Sequence, residues 1–328
     1  MALTYKTLSS NFAKVKDKSV AQLGTFIGGK VGENIKSEVF KNGCAIRLSY
    51  AFNYSGVPIS PSDGAVSSGA DKKWYLYRVS DMKKFIIKHI GGTPLKGSTA
   101  NSFKGKKGVI VFNDCNWSDA TGHVDLFNGI QCEYEAANDY FGVTIYSQVI
   151  FLRVSLSMNR HPPLILYPMK KFLFIFLSCL LFQQLTAQTI VKFDNGNNII
   201  YKNLQGKTIV KNKKYTIAFT DTISSIGFVG TRKGEIVCIN NAGKELFEVY
   251  KIDNGPDYVS DGLFRIVGKN SKIGFADTCG AIVIPPVFSY ATPFHNGEAK
   301  VSFGGKNEKQ GEYQSWKSNL WFLIKKSK

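Results

Sequence analysis

Cys44 and His123 are the residues whose types and settings could carry covalent chemistry. A thiolate adds to a carbonyl carbon, and an imidazole takes up a proton and returns it to the leaving group. Cys44 follows Asn42-Gly43, a pair suited to a turn or helix cap, and opens the run Cys44-Ala45-Ile46-Arg47-Leu48-Ser49-Tyr50-Ala51-Phe52-Asn53. That run has helical spacing of its apolar residues, so the cysteine falls in a first helical turn. There the helix dipole and free backbone N–H groups favour the thiolate. The oxyanion donor is then the backbone N–H of Cys44 or a neighbour. His89, His161 and His295 have no comparable context. The six cysteines (Cys44, Cys115, Cys132, Cys179, Cys238, Cys279) include no Cys-x-x-Cys pair, so neither a metal site nor a cofactor is expected.

The elements that must position these two residues are legible nearby. Gly56 and Pro58 close the cysteine helix. Residues 107–112 and 122–127 read as strands, and Asn128-Gly129 is a hairpin signal. Strand alternation puts His123 and Asp125 on one face, with Val124 and Leu126 on the other. A histidine strand beside a cysteine helix is the arrangement of papain-like thiol hydrolases. A carboxylate should orient the imidazole. A two-residue turn sets His123 across from Tyr134, and a three-residue loop sets it across from Glu135, the favoured candidate. Asp139 is the alternative if the strand bulges, and the reach of Asp125 along its own strand is doubtful. Cys115 and Cys132 flank the histidine strand, and either pair as a disulfide or stay separate thiols. Residues 60–70 predict a mobile rim, residues 74–77 a strand, and residues 79–90 an amphipathic scaffold helix.

Three segments carry a resemblance. They are Cys44-Ala45-Ile46-Arg47-Leu48-Ser49, Lys107-Gly108-Val109-Ile110-Val111-Phe112 and Gly122-His123-Val124-Asp125-Leu126-Phe127-Asn128-Gly129. In order and spacing they resemble the type VI secretion amidase effectors of the fourth family, over about residues 1–155. Phe127 stands where that family has a tryptophan, and Tyr140-Phe141-Gly142 is similar to its segment after the hairpin. The resemblance implies an α+β papain-like fold of the NlpC/P60 type. It implies a cysteine peptidoglycan amidase that cuts the bond between D-glutamate and meso-diaminopimelate in the stem peptide. Cys44 would be nucleophile and His123 general base. Delivery by a type VI apparatus into the periplasm of a target bacterium is implied too. The family's aspartate after the hairpin is not matched here, which leaves the third residue open between Glu135 and Asp139.

The chain has 328 residues, 44% hydrophobic and 20% charged, with 42 basic against 24 acidic side chains. This is globular composition with a positive excess spread over both halves. No dense basic tract points to nucleic acid, and none is expected as a partner; the diffuse charge suits a bacterial wall or membrane. Residues 169–188 read as a signal peptide. Lys170-Lys171 precede an apolar run from Phe172 to Phe182, and Ala187 offers a cleavage point. The run is too short to span a membrane unaided. A signal peptide with its own Met169 so far along the chain suggests two coding frames joined, with residues 159–168 as linker. Met1–Lys18 offers no such signal, which favours delivery by a secretion apparatus over a housekeeping wall hydrolase.

Residues 189–328 read as an all-β repeat domain. Gly206, Gly243 and Gly280 recur at steps of 37, and Gly262 and Gly297 stand 35 apart. The segment Ile273-Gly274-Phe275-Ala276-Asp277, with Gly280, Ile282-Val283-Ile284-Pro285-Pro286, Phe294 and Gly297, resembles the WG repeats of exported bacterial proteins. That resemblance implies a binding module. An effector domain over residues 1–158 followed by an exported module suggests a toxin and its immunity protein. The module would bind over the Cys44–His123 cleft in the periplasm. A targeting domain, an unrelated exported neighbour, or a non-catalytic surface-binding protein with a decayed amidase fold are the other readings.

Overall fold

The computed structural model describes residues 3–90, 94–134, 140–143, 148–153, 188–195 and 198–326. The signal-like segment and the linker before it, Met169 included, lie outside the described residues. Among the described residues no helix is long and apolar enough to cross a membrane.

Helix α4 (Cys44–Tyr54) is the axis of the N-terminal part, with every residue from Cys44 to Asn53 buried. A helix enclosed on all sides needs partners for its polar groups. Ser49 donates to the Ala45 carbonyl and accepts from the Leu76 N–H. Asn53 accepts from the Ile59 N–H and donates to the Trp74 carbonyl. These bonds fasten the helix to a hairpin of β1 (Val66–Ser68) and β2 (Trp74–Leu76). Around it stand α1 (Tyr5–Phe12), α2 (Val20–Ile27), α3 (Gly29–Lys36) and α5 (Val79–Ile90). Thr4 with Thr7 and Ser19 with Gln22 form capping boxes on α1 and α2. The expected rim at residues 60–70 is built otherwise. A 3₁₀ turn at Pro61–Asp63 leads into β1, and Asp63 accepts from Ser60 and Lys88.

The sheet beyond α4 has four antiparallel strands. They are β3 (Leu95–Gly97), β4 (Gly108–Asn113), β5 (His123–Phe127) and β6 (Gln148–Arg153), in the order β3-β6-β4-β5. Phe112 faces His123 across the pair of β4 and β5. The connection after β5 is neither of the two loops expected. Phe127 bridges Cys132, and the Asn128 N–H donates to the Gln131 carbonyl, so four residues make the turn. Asn128 caps it by accepting from the N–H groups of Ile130 and Gln131.

All regular structure described beyond residue 188 is strand, apart from one 3₁₀ turn at Lys269–Ser271. Seven strands follow one another as an antiparallel meander, from Tyr215–Ala218 to Ile282–Phe288. The 37-residue spacing appears here as one turn made three times. Asn203, Asn240 and Asp277 each accept at the side chain from the N–H four residues on, while their backbone accepts from Gly206, Gly243 and Gly280. Those glycines have φ of 80°, 78° and 88°, a region open to glycine at little cost. Two short hairpins project from this region, at residues 251–256 and 306–317. Asp257, at the foot of the first, is clamped by the buried Arg265 guanidinium, Nη2 to Oδ1 at 2.6 Å.

Candidate active site

Both hairpins run into the N-terminal part, and the second reaches its catalytic candidates. Tyr313 is fully buried and belongs to the apolar core built by residues 3–140. Its ring lies flat on Trp117, centroids 3.8 Å apart. Its hydroxyl is 2.6 Å from His123 Nδ1 and lies near the Cys44 side chain, and burial, then the charge of that side chain, would push the phenol up. One phenol oxygen therefore sits between the two residues that the sequence singles out. Cys44 opens α4 with 3% of its surface exposed, and His123 opens β5 with 1%. The imidazole stacks on Tyr140, centroids 4.0 Å apart.

The other side of the imidazole faces Asp125. The carboxylate Oδ2 stands 3.5 Å from His123 Nε2 and accepts from the Tyr134 N–H at 3.2 Å. Burial pushes the Asp125 carboxyl well above the usual range, against the N–H groups of Leu126 and Tyr134. Asp125 therefore lies beside His123 without hydrogen-bonding it: Nε2 has no hydrogen-bond partner among the described residues, in line with the doubtful reach that alternation along the strand gave. Of the two expected carboxylates, Glu135 and Asp139 lie outside the described residues. Glu133 turns away and accepts from Tyr5 and Ser9.

Cys115 and Cys132 are not joined to each other. The Cys115 N–H meets the Thr121 carbonyl just before β5, while Cys132 bridges Phe127 at its far end. Five strand residues separate those ends by roughly 13 Å, beyond disulfide reach. Burial pushes the Cys115 thiol far above its ordinary value, which leaves it unreactive.

Beside Cys44 lies a second polar contact. The Arg47 guanidinium, fully buried, pairs through both terminal nitrogens with the Glu312 carboxylate. Glu312 also accepts from the Gly43 N–H at 3.1 Å and the Tyr134 hydroxyl at 2.7 Å. A Cβ on Gly43 would come within 2.8 Å of Arg47 Nη1, so glycine lets the guanidinium fold back over the helix start. Burial alone would raise the Glu312 carboxyl; Arg47, Tyr134 and the Gly43 N–H outweigh it and hold it below its ordinary value.

The 251–256 hairpin makes the neighbouring contact. Asn254 accepts from the N–H groups of Lys41 and Asn42 and donates to the carbonyls of Asn42 and Tyr77. Asp253 accepts from the Thr121 N–H. Arg78 donates to the Pro256 carbonyl. Between the hairpins, Ser118 N–H donates to the Gln314 carbonyl and Asp119 accepts from the Gln314 N–H. Among the described residues no cluster of His, Cys, Asp and Glu could hold a metal ion.

Comparison with known proteins places the N-terminal half. Residues 40–154 match the family of type VI secretion system amidase effector protein 4, Tae4. The Tae4/Tai4 effector–immunity structure from Salmonella typhimurium is 37% identical, with 47% of this chain covering all of that chain at a TM-score of 0.44. The Tae4–Tai4 complex from Enterobacter cloacae gives the same identity, coverage and score. The effector Tae4 from Enterobacter cloacae is 35% identical, over 47% of this chain and 98% of that one, with a TM-score of 0.42. Through this half the chain belongs to the type VI secretion amidase effector 4 family. No curated protein matches it significantly.

Arg47, Trp117, Glu312 and Tyr313 were not singled out from sequence as site residues, and Asp125 was weighed there but doubted. For Glu312 and Tyr313 the available signal was a Gly311-Glu312 turn between alternating runs, which marks a hairpin but not where it goes.

Proposed function

We propose that this chain joins an antibacterial peptidoglycan amidase in residues 1–158 to its own inhibitor in residues 189–328. The observation that carries the reading is the Tyr313 side chain, fully buried beside Cys44 with its hydroxyl 2.6 Å from His123 Nδ1. A substrate carbonyl would need that space.

The chemistry follows from what each group can do. His123 Nδ1 takes the Cys44 proton, and the thiolate adds to the scissile amide carbon. The tetrahedral oxyanion is received by backbone N–H groups at the start of α4. Its collapse breaks the C–N bond, and the imidazolium gives its proton to the departing amine. Water, deprotonated by the same imidazole, then cleaves the thioester and restores the thiol. Asp125, with Oδ2 3.5 Å from Nε2, would orient the ring once Tyr313 is withdrawn, in the place first given to Glu135. A papain-like fold of NlpC/P60 type and cleavage between D-glutamate and meso-diaminopimelate are the finer expectations. A periplasmic inhibitor built on WG-like repeats and exported by residues 169–188 completes the reading. In the relatives the effector and Tai4 are described as a complex. Here the inhibitor would be carried on the effector's own chain, or released as a second chain starting at Met169.

The test is release of stem fragments from purified peptidoglycan, read by mass. Wild-type full-length chain should be nearly silent. Tyr313→Ala should cleave, and Tyr313→Ala with Cys44→Ala should not. A silent Tyr313→Ala that binds peptidoglycan would sink the amidase reading; a wild-type chain as active as Tyr313→Ala would sink the inhibitor.

A further inference from the structure

The contact around Glu312 is more elaborate than a steric plug requires. Tyr313 alone fills the space between Cys44 and His123. Yet the hairpin also delivers a carboxylate to Arg47, the Gly43 N–H and the Tyr134 hydroxyl. All of these receiving groups belong to the N-terminal part. Arg47 sits one turn along α4 from Cys44, and Gly43 is the residue before it. Apart from Glu312, the Arg47 terminal nitrogens have the Lys18 carbonyl at 2.7 Å and a long contact to the Tyr134 hydroxyl at 3.4 Å. Neither is a counter-charge, and the carboxyl of Asp125, the other acid on which Arg47 acts, is pushed up by burial. Emptying the Glu312 position therefore leaves a guanidinium and an N–H group suited to another anion.

We propose that the Arg47, Gly43 and Tyr134 cluster is the effector's recognition site for a substrate carboxylate, and that Glu312 inhibits by imitating it. The ligand is a free carboxylate on the residue that supplies the scissile carbonyl. The proximity of Gly43 N–H to Cys44 sets that spacing, since an anion bound there lies within about one residue of the reacting carbon. A γ-linked D-glutamyl residue has this form: its side-chain carbonyl makes the scissile amide and its α-carboxylate stays free. Bidentate pairing suits the recognition, because a planar guanidinium matches a carboxylate and not a neutral amide. Tyr313 then imitates nothing specific; it occupies the catalytic gap while Glu312 supplies affinity.

This inference rests on the amidase and inhibitor reading above. The experiment uses the full-length chain with Glu312→Ala and Tyr313→Ala together, which empties both positions. It compares two stem peptides that differ in one group: the D-glutamyl α-carboxylate free, or converted to the primary amide. The expected result is cleavage of the free acid, with kcat/KM for the amide lower by at least about 10-fold, most of it in KM, as loss of a charge-assisted bond predicts. Equal cleavage of both peptides overturns the imitation and leaves amidase and inhibitor standing. Cleavage of neither overturns the amidase reading and this inference with it. The milder pair Glu312→Gln with Tyr313→Ala, which keeps the shape of the first side chain and still opens the catalytic gap, repeats the comparison with less change to the packing around Arg47.

Discussion

His123 is held on every side by groups that do different work. Tyr140 fixes the ring plane, Asp125 faces Nε2, and Tyr313 occupies Nδ1. In the open Tyr313→Ala background, Asp125→Asn should lower kcat by about 10²–10⁴ with little change in KM, as losing the group that orients a catalytic imidazole does elsewhere. Asparagine can still accept from the Tyr134 N–H, so the variant should fold; unchanged kcat would transfer the role to another carboxylate. The Cys44 helix and the His123 strand were readable because each is declared by its own neighbours in sequence. Asp125 was named and doubted, since alternation fixes a face but not whether a side chain bends back along it. The register after β5 failed for a similar reason: Asn128-Gly129 signals a turn, while a four-residue loop is set by the Phe127–Cys132 bridge and the capping Asn128.

At the scale of elements, the two hairpins share the work of closure. The 251–256 hairpin inserts Asn254, whose side chain answers two N–H groups and two carbonyls just before α4 and at Tyr77. Asn254→Ala leaves these buried groups without partners at about 1–3 kcal/mol each. The full-length variant should lose thermal stability and gain hydrolysis, with faster amide exchange at Lys41 and Asn42. A stable but silent variant would show that the 306–317 hairpin closes the cleft unaided. Between the hairpins, burial pushes the Asp119 carboxyl up to about 7. The folded state then holds a proton that the unfolded chain releases near pH 4, so stability falls as pH rises from about 4 to about 7. Asp119→Asn should flatten that slope in part, read as denaturant midpoints at pH 5 and pH 8. Asp125, Asp253 and Glu248, also raised by burial, keep the remainder. An unaltered slope would mean Asp119 is already ionised and solvated. Neither hairpin's destination could be read from sequence, because the contacts join residues some 130–270 positions apart and have no local signature.

For the molecule as a whole, the proposed reading puts cleft and cover on one chain. Closing is then an intramolecular step, governed by an effective concentration and not by the amount of protein present. Specific activity of the uncut chain should stay flat on thousand-fold dilution. A chain cut within residues 155–187 should gain activity on the same dilution as its two parts separate. Flat behaviour in both would mean that the cover binds too tightly for the dilutions used to reveal it. The repeat spacing in residues 189–328 was visible as recurring glycines and returns as recurring turns. That repetition builds a platform, and the contacts that matter project from it in two places that break the pattern.

The seal over Cys44 has a further consequence. A nucleophilic thiol is also the group that oxidants convert stepwise to sulfenic, sulfinic and sulfonic acid, the later steps without return. With the buried Tyr313 side chain beside it and 3% of Cys44 exposed, peroxide meets a closed surface. On the proposed reading, the cover that withholds the enzyme from the wall also preserves it: a stored molecule should reach its moment of use with its sulfur still reduced.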